Sequence, residues 1–167
     1  RARVLGVFHG GVDLDVLAMM MQWEKADLSA LAVELVETGL ATPNRYNHLT
    51  LNPALCPTLR GRLDAAEHEA LTARWEKAMR AYVGFLVQQC RQDAEMATTL
   101  TGLELPNLFA LLDRVQRAGD AEATIDLTTS LYSLLQNAGK PRLLARVGQV
   151  RDAAAGALGD AWTHARF

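Results

Sequence analysis

The sequence predicts a mainly α-helical chain in two parts: two short helices and a hairpin over residues 1–63, then antiparallel helical hairpins over residues 64–167. Three observations carry this reading. Apolar residues recur at steps of three and four through most of the chain after residue 63, the spacing that lines them up on one face of a helix. Capping residues and glycines interrupt that pattern at Asp64, Gly119, Gly139 and Gly159, where helices begin and stop. Half of the 167 residues are apolar and 22% are charged, which excludes intrinsic disorder, a state that needs low hydrophobicity and high net charge.

In the first part, Asp13 or Asp15 can cap a helix through Trp23, with Val16, Leu17, Met20 and Met21 apolar. Gly10-Gly11 reads as a turn before that cap. Asp27 caps a second helix, in which Leu28, Leu31, Ala32, Leu35 and Val36 form one buried face. Gly39 stops it, because glycine tolerates the positive φ of a helix end. Leu40-Ala41, the turn-prone Thr42-Pro43-Asn44, and residues 46–51 with alternating Tyr46, His48 and Thr50 then form a short hairpin. Helix, helix, hairpin is the plan of a winged helix-turn-helix. Pro53 and Pro57 punctuate its exit toward Arg60 and Leu63.

The second part opens on Asp64-Ala65-Ala66-Glu67, which has capping-box spacing. Leu71, Trp75, Ala78, Met79, Tyr82, Leu86 and Cys90 continue as one apolar stripe on a long helix over 64–92, which Trp75, Met79, Tyr82 and Phe85 would bind to its neighbours, while Arg74, Lys77, Arg80 and Arg91 lie mostly off the stripe. Residues 91–101 are polar and read as either a shorter helix or a turn. Pro106 suits a first helical turn, where its missing N–H costs nothing, and Leu108, Leu112 and Val115 then share a face up to Gly119. Asp120 caps the next helix, carrying Leu127, Leu131, Leu134 and Leu135 and closed by Asn137-Ala138-Gly139. Pro141 opens the last one, with Leu143, Val147, Val150, Ala154 and Leu158 before Gly159-Asp160; Ala145, Gly148 and Ala155 would let helices approach closely. Regular helix pairs of this kind suggest the start of a tetratricopeptide-like α-solenoid, although that repeat is nearer ~34 residues.

Charge limits the function classes. With 17 basic and 19 acidic side chains the chain is not a broadly basic nucleic-acid binder, and residues 1–63 hold six of each sign. The helix that would enter a major groove, residues 27–38, carries Asp27, Glu34 and Glu37 with no Lys or Arg, and the wing offers only Arg45. Carboxylates beside phosphate repel, so DNA binding is disfavoured. Two cysteines make no disulfide scaffold and favour a reducing, cytoplasmic setting. No apolar run approaches the ~18–20 residues of a membrane span, and no signal peptide is visible.

The residues suggest no active site, and the expectation is a non-enzyme without metal or cofactor. Gly139-Lys140 lacks the upstream glycine and the following Ser or Thr of a phosphate loop, having Leu134 and Pro141 there. His68-Glu69 begins like a zinc-protease motif, but Thr72 stands where the second histidine belongs. His9, His48, His68 and His164 are scattered and read as surface or half-buried. Cys90 reads as a small core residue and Cys56, between Pro53 and Pro57, as exposed but without a catalytic partner. None of the three serines lies in a nucleophile elbow. Trp23, Trp75 and Trp162 are dispersed and read as packing residues. If a site is assembled by folding, His68 or Glu104 are the places to look.

The segment Leu5-Gly6-Val7-Phe8-His9-Gly10-Gly11-Val12-Asp13-Leu14 resembles the opening of the winged-helix domain that follows the nucleotide-binding module in NB-ARC-type STAND ATPases. Residues Leu31-Ala32-Val33-Glu34-Leu35-Val36-Glu37-Thr38-Gly39-Leu40 match the family's next helix, and Leu49-Thr50-Leu51-Asn52-Pro53-Ala54-Leu55 looks like the end of its hairpin. Many members carry at the Asn52 position a histidine that senses the bound nucleotide's phosphate. Asparagine here departs from that pattern, and His48 is four residues out of register. Glu104-Leu105-Pro106-Asn107-Leu108 is similar to the entry of the helical repeats that follow. The resemblance implies a piece of a longer signalling ATPase, with the ATPase module before Arg1 and further repeats after Phe167. It would couple a nucleotide switch to a helical-repeat sensor, and its partners would be other proteins or the parent's own ATPase module. Exposed stripes at an unfinished solenoid end would permit homo-oligomers. The alternative function is a winged-helix DNA-binding transcription regulator with a helical effector domain.

Overall fold

The structure, a computed structural model, describes residues 1–164, with side chains through Asp160. The expectations for the side chains of Trp162 and His164 and for Phe167 lie outside the described residues. The chain is mainly helical and carries one small three-stranded antiparallel sheet. It divides into two compact units: residues 1–82 with 103–107, and residues 83–102 with those from 108 onward.

The first unit begins with a 3-10 turn (Ala2–Val7), followed by β1 (Gly11–Asp13), α1 (Leu14–Met21), α2 (Lys25–Glu37), β2 (Ala41–Pro43), β3 (His48–Leu51) and α3 (Leu55–Arg60). It also contains the first part of α4 (Ala65–Gln92) and five residues of α5 (Ala94–Arg117). Asp13 caps α1, accepting from the N–H groups of Asp15 and Val16 at 2.8 and 3.2 Å. The helix ends at Met21, two residues before Trp23, because Gln22 turns left-handed at φ 53°. Asp27 is not the cap of α2. That position falls to Glu24, which makes no side-chain cap bond, while Asp27 sits in the first turn 2.7 Å from Arg1. Leu28, Leu31 and Leu35 are buried as expected, but Val36 is exposed, since the narrow apolar stripe leaves it off the packed face.

The hairpin forms between β2 and β3, joined through Tyr46 and Asn47, both at positive φ. A third strand, β1, pairs on the other side of β3, giving the order β1-β3-β2 with Gly11 opposite Thr50 and Asp13 opposite His48. Gly10-Gly11 is therefore not merely a turn: Gly10 takes positive φ and Gly11 starts a strand. The exit from the hairpin is helical, with Pro57 in α3. This helix packs on the 3-10 turn, where a Cβ on Gly6 would lie 2.8 Å from the Arg60 backbone nitrogen. Arg60 Nε completes the contact by donating to the Gly6 carbonyl at 2.9 Å. Leu5, Phe8, Val12, Leu17, Trp75 and Met79 fill the core of this unit.

The start of α4 has the expected reciprocal box: the Glu67 N–H donates to Asp64 Oδ1 at 2.8 Å and the Asp64 N–H to Glu67 Oε2 at 3.2 Å. Along it Trp75, Ala78, Met79, Tyr82 and Leu86 are buried; Phe85, expected to pack with them, is instead exposed because it lies off the stripe. The open question over 91–101 resolves as a helix. Asp93 accepts from the Met96 N–H at 3.0 Å and starts α5, which runs through Pro106 to Arg117. Pro106 is thus interior and not a first-turn residue; the helix was already started by the Asp93 cap, thirteen residues upstream.

In the second unit, α6 (Ala121–Asn137) and α7 (Pro141–His164) pack against each other. Asp120 caps α6 through the Ala123 N–H at 3.0 Å, and Gly119 and Gly139 take the positive φ expected of helix ends. The buried face of α6 holds Leu127, Leu131, Leu134 and Leu135, and also Thr124 and Thr128, whose hydroxyls donate to the carbonyls of Asp120 and Thr124 at 2.7 Å each. Only Val147 of the α7 stripe is fully buried; Leu143, Val150, Ala154 and Leu158 are half-buried. The helix does not stop at Gly159, because the following residues continue its hydrogen bonding. Ala145 and Ala155 are exposed and a Cβ on Gly148 would meet nothing within 4 Å, so these small residues mediate no close approach.

Candidate functional site

The polar residues that folding gathers lie inside the first unit. His48 is not a surface or half-buried residue: it is 1% exposed, as is Glu104, and Asp13 and Asn107 are 2% and 0% exposed. The cause is Gly11. A Cβ there would lie 2.6 Å from His48 Cε1, so the absence of a side chain on β1 makes the space into which the ring turns.

Two polar groups are built around this space. His48 Nε2 approaches Glu104 Oε1 at 2.8 Å, the distance of a charge-assisted contact. Neither atom makes an aligned hydrogen bond, so the pair is held by the close approach of ring and carboxylate alone. The Asn44 amide nitrogen lies 3.1 Å from His48 Nδ1 and donates to Thr50 Oγ1 at 2.6 Å. An amide nitrogen can only donate, so with this orientation Nδ1 accepts. Asn107 ties the other end: its Nδ2 donates to Glu104 Oε2 at 3.1 Å and to the Gly11 carbonyl at 3.0 Å, and its Oδ1 accepts from the His9 N–H at 2.8 Å.

Asp13 forms the second group. While Oδ1 caps α1, Oδ2 accepts from the Tyr82 hydroxyl at 2.7 Å. Burial raises its pKa from 3.8 to about 6, with the Tyr82 hydrogen bond opposing and the Glu104 charge adding to the rise. Burial and the Asp13 carboxylate push the Tyr82 hydroxyl well above its ordinary range. Of the two places singled out in the sequence, Glu104 therefore joins a cluster, whereas His68 stays half-buried in the first turns of α4.

Compared with known proteins, the chain matches no family model, no curated protein and no solved structure.

Other candidate residues occupy separate places. Asn52 is exposed, and its Oδ1 accepts from the Ala54 N–H at 2.9 Å, forming an Asx turn into α3. Cys56 is buried rather than exposed, because α3 turns it inward; burial pushes its thiol up, with Arg60 opposing. Cys90 is half-buried. Among the described residues, no group of three or more His, Cys, Asp and Glu side chains is placed to hold a metal ion, and no helix is long and apolar enough to cross a membrane. What the buried cluster does in this conformation is mechanical: it fixes β1 and β3 to Tyr82 of α4 and to residues 104–107 of α5. Sequence reading missed it because the contacts that join its elements span 56 to 98 positions; the one local signal was a glycine on β1 diagonal to a histidine on β3.

Proposed function

We propose that the chain is a non-catalytic regulatory and protein-interaction module: a winged-helix unit followed by tetratricopeptide-like helical hairpins, coupling the nucleotide switch of a larger cytoplasmic signalling ATPase of NB-ARC type to a helical-repeat sensor. The observation that carries the reading is the outward face of α2. Val33 is 54% exposed, Val36 and Leu40 are exposed with it, and a shallow groove of about 450 Å³ runs past Val33, Glu34 and Glu37. The second helix of a helix-turn-helix is the one that would meet DNA, and here its carboxylates would face phosphates. The same face suits protein: apolar side chains gain roughly 25 cal/mol per Å² when covered, and Glu34 and Glu37 favour basic residues at the rim. The Asx turn made by Asn52 supports a structural part for that position in the hairpin exit.

The direct test is association with the ATPase module that this reading places before Arg1. With the ATPase module and the present chain expressed as separate polypeptides, Val33→Glu with Val36→Glu should weaken their co-purification at least tenfold. Titration calorimetry of ATP into the present chain should give no heat of binding, and the chain should pass a heparin column unretained at low salt. A micromolar ATP site, or a parent reading frame without an upstream phosphate-binding loop, would overturn the reading.

A further inference from the structure

A second concave surface, unrelated to the α2 face and independent of the reading above, lies where the last turn of α1 meets the face of α4 that bears Arg74, Lys77, Ala78 and Ala81. It encloses about 360 Å³, at the lower end of the ~300–1,000 Å³ typical of small-ligand sites. We infer that this groove binds a small amphipathic carboxylate, an anion with a flexible apolar tail of the fatty-acid class.

The wall contributed by α1 is three consecutive methionines. Met20 is buried, Met21 half-buried and Met19 48% exposed, which makes it one of the few large apolar side chains open to solvent. Methionine is unbranched and polarizable, so a methionine wall adapts to an apolar chain without requiring one shape. The left-handed residue Gln22 ends α1 at this point and leaves the side chains of its last turn facing the groove. Positions 74, 77, 78 and 81 fall on one face of α4 by the i, i+3, i+4, i+7 rule, so both cations stand at the same rim. Among the described residues neither Arg74 nor Lys77 has an ion pair or side-chain hydrogen bond; the neighbouring carboxylate Glu76 is engaged by Arg80 at 2.9 Å.

The charge arithmetic favours an anion. The C-terminus of α1 presents about half a negative charge, against two full positive charges on Arg74 and Lys77, so the rim remains positive. The apolar wall selects against a bare inorganic anion, and the two cations select against a neutral or cationic amphiphile. An apolar tail with a single carboxylate meets both halves of the groove.

The chain has five methionines, and three line the groove, which provides a local readout. With methyl-labelled methionine, decanoate, decanol and decyltrimethylammonium are titrated below their aggregation limits and the methyl resonances followed by NMR. Decanoate should shift Met19, Met20 and Met21 saturably and leave Met96, which lies on α5, in place. Decanol should bind roughly tenfold more weakly, the loss expected when two exposed ion pairs of up to about 1 kcal/mol each are removed. Arg74→Gln with Lys77→Gln, both exposed and therefore harmless to folding, should bring decanoate to the level of decanol. Ala81→Trp should fill the groove and abolish both sets of shifts without altering charge. Equal affinity for decanoate and decanol, an unchanged decanoate affinity in the double variant, a parallel shift of Met96, or no shift at millimolar decanoate would each overturn the assignment.

Discussion

Replacing Asp13 with asparagine separates the capping role of this side chain from its charge. Asparagine caps helices as well as aspartate does; its Oδ1 can accept from the Asp15 and Val16 N–H groups, and its amide can face the Tyr82 oxygen. It therefore imitates the protonated acid in a site that is 2% exposed. The native pKa is about 6 against 3.8 in the unfolded chain. Between those values the native state holds the proton and the unfolded state does not, so the stability that protonation supplies is fully present below 3.8 and is lost as pH rises through about 6. At ~1.36 kcal/mol per pH unit, the gap corresponds to about 3 kcal/mol. Urea unfolding of the native chain and of Asp13→Asn, measured in parallel from about pH 4 to about pH 8, isolates this contribution, because every other titrating group is common to both. Relative to the native chain, the variant should gain about 3 kcal/mol across the window. Parallel curves, or a variant that fares worse at the alkaline end, would refute the reasoning.

Three further outcomes follow from the same geometry. Removing either partner of the His48–Glu104 pair, as His48→Leu or Glu104→Leu, should cost roughly 3–5 kcal/mol by leaving a buried polar group alone, and the double variant should cost less than either single one; additive losses in urea titrations would argue against the pairing. Gly11→Ala should lower stability by about 1–3 kcal/mol through its contact with the His48 ring, and the penalty should shrink when His48 is also alanine, as read from thermal melts. Pro106→Ala restores an N–H inside α5 and, by the ~3 kcal/mol that interior proline costs a helix, should raise the melting temperature; a lower one would mean that the proline ring's contact near Gly10 outweighs the missing bond.

The comparison of these elements with their sequence shows where local rules reach. Asp64 with Glu67 and Asp120 with the Ala123 N–H act over three residues, and both were legible because their partners are near in the chain. The leucine stripe of α6 was legible for the same reason. Pro106 misled because proline is favoured in first turns, and nothing adjacent reveals that Asp93 has already started the helix. Asp27 misled in the same way: it lies in the first turn, where acids are also favoured, and only the extended backbone of Glu24 marks the cap. The buried cluster was illegible for a different reason. His48 and Glu104 are 56 residues apart, and the periodicity of neither element indicates which side chains from another will meet it. Gly11 was visible as a glycine, but its use as space for a ring depends on the register of β1 against β3.

The Tyr82–Asp13 hydrogen bond also gives the protein an intrinsic optical marker. Of three tyrosines, Tyr46 and Tyr132 are half-buried, whereas Tyr82 is buried with its hydroxyl donated to a carboxylate. Ionising it in place would set a phenolate beside Asp13, so in alkali Tyr82 yields its proton as the surrounding structure opens. The phenolate absorbance should therefore rise in two stages, the first following ordinary titration and the second following the cooperative loss of ellipticity. The second stage times the opening of the first unit without any added label.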